Sequence, residues 1–186
     1  MGADTLLTVL TLLTGQIDAA NIIAHANMVR SQTGVNFTNA AALALAWQET
    51  RSGRSKNTAR GQEIWASKTT GKHCKSVVCV PGDSVRICRE IGRMQLSPCN
   101  NYTKLDTRCT IQAIKDSIDV NIHCGLLFFV EKIKFCNGDI VCAIERYNGH
   151  GCIQVSKHTR RCSHQYIKEA ATYIGLLYLH GWKESN

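Results

Sequence analysis

The sequence has few features that would divide the chain or keep it unfolded. Only two of its 186 residues are proline, and it contains no repeat, no proline-rich linker and no low-complexity tract. Charged residues make up 19% of the chain and hydrophobic residues 44%, which is typical of a folded protein rather than a disordered one. A chain of this length can bury a core of its own, so we expect a single domain over residues 1–186.

Acidic and aromatic residues are also scarce. Asp and Glu number 14 against 22 Lys and Arg, and the formal net charge of +8 favours an anionic partner such as a wall polymer, a nucleic acid or a membrane surface. Nucleic-acid binders more often present a basic helix or a basic groove lined with aromatic rings. Here Phe, Tyr and Trp total 6%, and the basic residues cluster in a predicted loop. We therefore expect no nucleic-acid partner.

No cysteine precedes residue 74, and no pair has the C-x-x-C spacing of zinc sites and redox motifs. Cytosolic proteins rarely carry as many as ten thiols without a metal to hold, so we predict up to five disulfides and an oxidising, extracytoplasmic location, secreted or periplasmic. The pairing stays open. The histidines show no metal-binding spacing either, and we expect no cofactor. The cysteines are at positions 74, 79, 88, 99, 109, 124, 136, 142, 152 and 162.

The first residues contain a short apolar stretch, residues 5–13. It is too short to span a bilayer, and Asp4 stands where an export signal usually has a basic residue. We therefore expect a helix of the mature protein and no stable membrane insertion.

Hydrophobic periodicity predicts a mainly α fold. The helices are separated by an irregular stretch, residues 51–110, that is rich in Gly, Ser, Thr, Cys and basic residues. A loop of this length usually has structure or function of its own, so we expect a disulfide-stapled, loop-rich lobe that has room for a short β-hairpin. The predicted helices run from Ile17 to near Gly34, and over residues 38–50, 111–135, 139–147 and 163–180, the third with Ile114, Ile118, Ile122, Gly125, Phe129 and Ile133 on its buried stripe.

Glu49 ends the second predicted helix, which is rich in Ala and Leu. Leu45 and Ala46 precede it by four and three residues and therefore share its helical face. A core-facing position and the negative end of the helix dipole both favour the protonated carboxyl, the form that a general acid needs at neutral pH. Taken alone, this position is more typical of a glutamate that is solvated or paired with a residue such as Arg51.

Four short elements together resemble the lytic transglycosylase and goose-type lysozyme family. They are the helix end AWQET at residues 46–50, GRMQ at 92–95, NIHCG at 121–125, and the element at 143–149 that ends in Tyr-Asn-Gly. They occur in the family's order and span roughly residues 20–180. The resemblance implies a lysozyme-like helical domain that cleaves the glycan strands of peptidoglycan.

The resemblance also implies roles for the matching residues. Glu49 would protonate the glycosidic oxygen beside a muramic acid residue, and Tyr147 would hold or tune its carboxyl group. Met94 and Gln95 would line the cleft, and Gln95 would form a hydrogen bond to sugar. A structural role for Gln95 fits the sequence equally well. The remaining candidates are Asn121, which is as readily structural as functional, Asn148, which would contact substrate or shape a turn, and Thr50, which keeps the hydroxyl of the family's usual Ser.

Three alternatives stay open. A lytic transglycosylase needs one carboxylate, because the sugar's own 6-hydroxyl attacks and leaves a 1,6-anhydro product, whereas most glycoside hydrolases need two. We favour the transglycosylase over a goose-type lysozyme or a chitinase-like hydrolase, since no second acid stands in a matching motif. A non-catalytic, cationic wall-binding protein is the third reading, and the oligomeric state is open. The second carboxylates considered are Glu63, Asp83, Glu90, Asp116 and Asp119.

Overall fold

The structure is a computed structural model that describes residues 19–50, 64–67, 88–97, 100–147, 153–156, 159–161, 164–179 and 183. The apolar stretch at residues 5–13 and most of the expected disulfide-stapled lobe lie outside these ranges. The mainly α fold class is confirmed. The helices are α1 (Ala19–Thr33), α2 (Asn39–Thr50), a 3-10 turn (Tyr102–Lys104), α3 (Ile111–Asp116), α4 (Ile118–Phe135), α5 (Ile140–Tyr147) and α6 (His164–Leu179).

Helix α2 lies at the centre of the described part of the molecule. Its alanines and leucines from residue 40 to residue 46 are all buried, so the helix is covered on every side. Helices α1 and α6 pack against it. Thr38 caps it, because the Thr38 hydroxyl accepts a hydrogen bond from the Ala41 N–H at 3.0 Å.

The single helix predicted over residues 111–135 is wrong, since the chain breaks into α3 and α4 at Ser117. Ser117 has extended backbone angles, and its side chain caps α4 by accepting a hydrogen bond from the Val120 N–H. The break shifts the phase of the buried stripe, and Ile118 is 38% exposed instead of buried. Helix α1 differs in phase from the stripe that its periodicity predicts, which runs through Ile23 and Met28. Met28 is exposed, and the buried residues are Ala19, Ile22, Ala26 and Val29.

Four short strands form two separate antiparallel pairs. Strand β1 (Ile64–Ser67) pairs with β2 (Cys88–Ile91), so the irregular stretch does contain a small strand pair. Strand β3 (Ile153–Ser156) pairs with β4 (Thr159–Arg161), and the sequence did not predict this pair. The first pair matters for the site, because β2 leads directly into the GRMQ residues.

Two disulfides join α4 to its neighbours. Cys109, before α3, is bonded to Cys124, and Cys136, at the end of α4, is bonded to Cys142 in α5. A disulfide that closes a loop of about 15 residues stabilises a fold by about 3 kcal/mol in the chain-entropy description. These two bonds confirm that four of the ten cysteines form cross-links, and such cross-links form in an oxidising environment. None of the described helices has the length and apolar content to cross a bilayer.

A charged cluster lies beside the Cys109–Cys124 disulfide. The Asp106 carboxylate accepts a hydrogen bond from the Arg108 Nη2 at 2.6 Å and lies 3.3 Å from the His123 Nε2. Hydrogen bonds from Arg108 hold the pKa of Asp106 well below its usual range. Burial lowers the pKa of His123, outweighing the opposite effect of Asp106. The ring of His25 packs edge-on against that of His123, with 5.9 Å between centroids.

This cluster predicts a loss of stability in mild acid. The folded pKa of His123 lies below its unfolded value of about 6.5, so below that pH the unfolded chain binds a proton that the folded chain does not. Asp106 adds its effect only below about pH 4. The free energy of unfolding in urea should therefore be lower at pH 5 than at pH 7, and His123→Gln should flatten this dependence. An equal fall in the variant would contradict the assignment to His123.

Candidate functional site

The GRMQ residues form a tight turn at the end of β2. Ile91 and Leu96 exchange two backbone hydrogen bonds of 2.9 and 3.0 Å, and residues 92–95 close the loop between them. Gly92 and Gln95 both have positive φ, at 70° and 45°. Glycine adopts this conformation freely, whereas at Gln95 it costs about 1 kcal/mol or more and persists only where the surroundings enforce it.

Asn121 of α4 enforces the turn from one side. Its side-chain oxygen accepts a hydrogen bond from the Met94 N–H at 2.9 Å, and its Nδ2 donates to the Ile91 carbonyl at 2.9 Å. Asn121 is buried, so it supplies partners to backbone groups that water does not reach. Gly92 makes room for it, because a Cβ on Gly92 would lie 2.4 Å from the Asn121 Nδ2.

Met94 packs directly on the backbone of α4 at Gly125. A Cβ on Gly125 would lie 2.4 Å from the Met94 Cβ, so only glycine permits this approach. The Met94 side chain is completely buried. Gln95 is also buried, and its side-chain Nε2 donates to the Gly92 carbonyl inside the turn. Contact of either residue with sugar stays a prediction.

Tyr147, the last residue of α5, holds the turn from a third direction. Its hydroxyl donates a hydrogen bond to the Met94 carbonyl at 2.8 Å. Its ring packs edge-on against Phe128 and Phe129, with centroids 5.4 and 6.3 Å away. Of the predicted site residues, the structure thus brings Met94, Gln95, Asn121 and Tyr147 together in one buried cluster, which we call the turn cluster.

Glu49 lies half-buried in the last turn of α2, as its position in the sequence predicted. Its neighbours in this turn fix the helix against α6. Trp47 stacks on Tyr173 with 5.0 Å between ring centroids, and the Gln48 amide donates to the Glu169 carboxylate at 2.9 Å. Sequence reasoning missed Glu169, since its position in α6 gives no sign that it meets α2. The proposed link between Glu49 and Tyr147 stays a prediction.

Several predicted residues lie wholly or partly outside the described structure. Asn148 is outside it, and Thr50 is described only as the last residue of α2. Of the acids considered as a second carboxylate, Asp116 and Asp119 are exposed, Glu90 is described only as a residue of β2, and Glu63 and Asp83 lie outside the described residues. Asp116 accepts a hydrogen bond from Gln112, and Asp119 accepts one from Asn21. Among the described residues, no group of three His, Cys, Asp or Glu side chains could hold a metal ion.

Comparison with known proteins found no match to the chain, whether to a family model, a curated protein sequence or a solved structure. The resemblance to the lytic transglycosylase and goose-type lysozyme family therefore depends on the four sequence elements alone.

The close approach of Met94 to α4 predicts an unusual effect of Gly125→Ala. Glycine within a helix is normally less stable than alanine by about 1 kcal/mol. Here the added methyl group meets the Met94 Cβ, and overpacking of this kind costs about 1–3 kcal/mol. Gly125→Ala should therefore lower the free energy of unfolding. Gly175→Ala in α6 is the matched control, because nothing lies within 4 Å of its added Cβ, and it should raise stability. A higher free energy of unfolding in both variants would contradict the close contact between Met94 and Gly125.

The hydroxyl of Tyr147 predicts a second contrast. Tyr147→Phe leaves the buried Met94 carbonyl without this donor and should destabilise the protein by about 1 kcal/mol. Tyr173→Phe is the control, because the buried Tyr173 hydroxyl has no hydrogen-bond partner among the described residues. That change should be neutral or stabilising. An equal fall in the free energy of unfolding of both variants, measured in urea, would show that the Tyr147 hydrogen bond does not stabilise the fold.

Proposed function

We propose that the chain is a muramidase that cleaves the β-1,4 bond between N-acetylmuramic acid and N-acetylglucosamine in peptidoglycan, with Glu49 as general acid and base. The observation that carries the proposal is the turn cluster. Three of the four family-like elements, separated by dozens of residues in the chain, meet there through the very residues that define them.

Five of the residues that define these elements have a physical task in the cluster. Gly92 admits Asn121, Gly125 admits Met94, and Tyr147 closes the cluster with its hydroxyl. Chance matches to short motifs would have no reason to fit one another sterically in this way. The fit supports a shared ancestry with the family, and hence the activity that the family implies.

The proposed reaction is that of a lytic transglycosylase. The Glu49 carboxyl gives its proton to the glycosidic oxygen, and the bond from that oxygen to C1 of the muramic acid residue breaks. The 6-hydroxyl of the same sugar then bonds to C1 and passes its proton to the Glu49 carboxylate. The products are a 1,6-anhydro sugar and a free 4-hydroxyl, and Glu49 is restored without water being consumed.

Two observations support this reaction over hydrolysis and an extracytoplasmic location. A hydrolase of the common type needs a second carboxylate near the bond, and Asp116 and Asp119 are exposed acids with partners of their own, Gln112 for Asp116 and Asn21 for Asp119. The disulfides of α4 support a secreted or periplasmic protein, and peptidoglycan lies outside the cytoplasm.

The test is digestion of purified peptidoglycan by the wild-type chain and by Glu49→Gln, with the products resolved by mass spectrometry. Wild type should release fragments lighter by one water than the hydrolysis products. Glu49→Gln should release none, because the amide cannot supply the proton. The loss expected from removing a general acid is at least about 100-fold.

Asp139→Asn is the matched control for that experiment. It makes the same carboxylate-to-amide change at an exposed cap of α5, where asparagine caps equally well, and its activity should equal that of wild type. Products with a reducing end would show that the enzyme is a hydrolase and not a transglycosylase. Cleavage of chitin oligomers without cleavage of peptidoglycan would show that the substrate is chitin. Full activity in Glu49→Gln, or no cleavage of either polymer, would overturn the proposal.

A further inference from the structure

A second feature of the molecule is a groove that the sequence did not predict. It has a volume of about 1110 Å³ and lies where the ends of α1, α4 and α5 meet the 3-10 turn. Four cations and one carboxylate, that of Glu131, line its described part. We call it the basic groove, and its cations are Lys104, Lys132, Lys134 and Arg146.

Two of these cations are held over aromatic rings. The Lys132 Nζ lies 4.2 Å from the centroid of Phe128, and the guanidinium of Arg146 lies 5.0 Å from that of Phe135. Burial, together with the positive charge of Arg146, lowers the pKa of Lys132. An anion that pairs with both groups stabilises the charged form of a half-buried ammonium beside a second cation.

The carboxylate of the groove is already engaged. Glu131 pairs with Lys134 at 3.1 Å, and both side chains are largely exposed. Lys132 has no carboxylate within salt-bridge distance among the described residues, and its contacts are with the Phe128 ring. The charge of Lys132 and Arg146 is therefore available to a ligand.

The surroundings of the cations favour a peptide over a phosphate group. The groove faces the C-terminal ends of three helices, whose negative dipole disfavours a dense dianion more than a single carboxylate. A peptide brings N–H donors together with singly charged carboxylates. The volume of the groove is also far larger than a single inorganic anion needs. Phe128 and Phe135 in its lining offer apolar surface to the side chains of a peptide.

We propose that the basic groove binds a carboxylate-bearing peptide through Lys132 and Arg146. Resting on the proposed function, we assign this ligand to the stem peptide attached to the muramic acid residues of peptidoglycan. The groove is connected to the turn cluster, because Phe128 packs both on Tyr102 in the groove wall and on Tyr147, with 5.4 Å between centroids in each pair. A peptide in the groove and a glycan at the turn cluster would thus share one aromatic wall.

The test is calorimetric titration with the synthetic tetrapeptide L-alanyl-γ-D-glutamyl-L-lysyl-D-alanine. Its fully amidated form and inorganic phosphate are the comparison ligands. The acid peptide should bind, and the amidated form and phosphate should bind at least about tenfold more weakly. Binding should also weaken as salt is raised.

Three variants locate the site. Lys132→Met keeps an unbranched apolar chain against Phe128 and removes only the charge, and Arg146→Gln removes the second cation. Each should weaken peptide binding about tenfold. Lys168→Met, at an exposed position on α6, is the matched control and should bind as wild type does. Circular dichroism of each variant checks that the fold is kept.

The outcomes separate this proposal from the proposed function. Unchanged affinity in Lys132→Met and Arg146→Gln, or equal binding of the acid and amidated peptides, would overturn the groove proposal even if peptidoglycan is cleaved. Phosphate binding as tight as peptide binding would overturn it in favour of a simple anion site. Peptide binding that depends on both cations, in a chain that does not cleave peptidoglycan, would support the groove and overturn the proposed function.

Discussion

The contact on which the described site depends is the approach of Met94 to the backbone of α4 at Gly125. No side chain larger than hydrogen fits there, so the turn can reach α4 closely enough for Asn121 to bond to two of its backbone groups. Those bonds in turn hold Gln95 in a left-handed conformation that glutamine alone would not favour. The position of the turn is thereby determined by one missing methyl group and one buried amide.

Helix α4 connects this turn to the rest of the protein. Beside Asn121 and Gly125, it carries Cys124 of one disulfide, His123 of the charged cluster and Phe128 of the aromatic wall. Contacts on several sides therefore hold helix α4 in place. The residues that support an active site need a rigid scaffold of this kind. The same helix also ends in the basic groove, so a glycan site and a peptide site would be held by one rigid element.

Local sequence patterns predicted much of this fold, and the failures have physical reasons. The Ala/Leu run of α2 and the half-buried position of Glu49 at its end follow from propensity and position in the chain. The break at Ser117 was missed because the apolar period continues across it, while the serine side chain stops the helix locally. The turn cluster could be found as motifs but not as contacts. The basic groove gave no sequence signal, since its walls come from three helix ends and a turn.

The most direct test of a glycan site at the turn cluster is an NMR titration of the inactive Glu49→Gln variant with a tetrasaccharide of alternating N-acetylglucosamine and N-acetylmuramic acid. The largest shifts should fall on the backbone amides of Gln95, Leu96 and residue 49, and on those near Tyr147, because cleavage as proposed requires the glycan to contact both Glu49 and the turn. Shifts confined to residues far from both, or no saturable shifts at all, would contradict the assignment of this site to peptidoglycan.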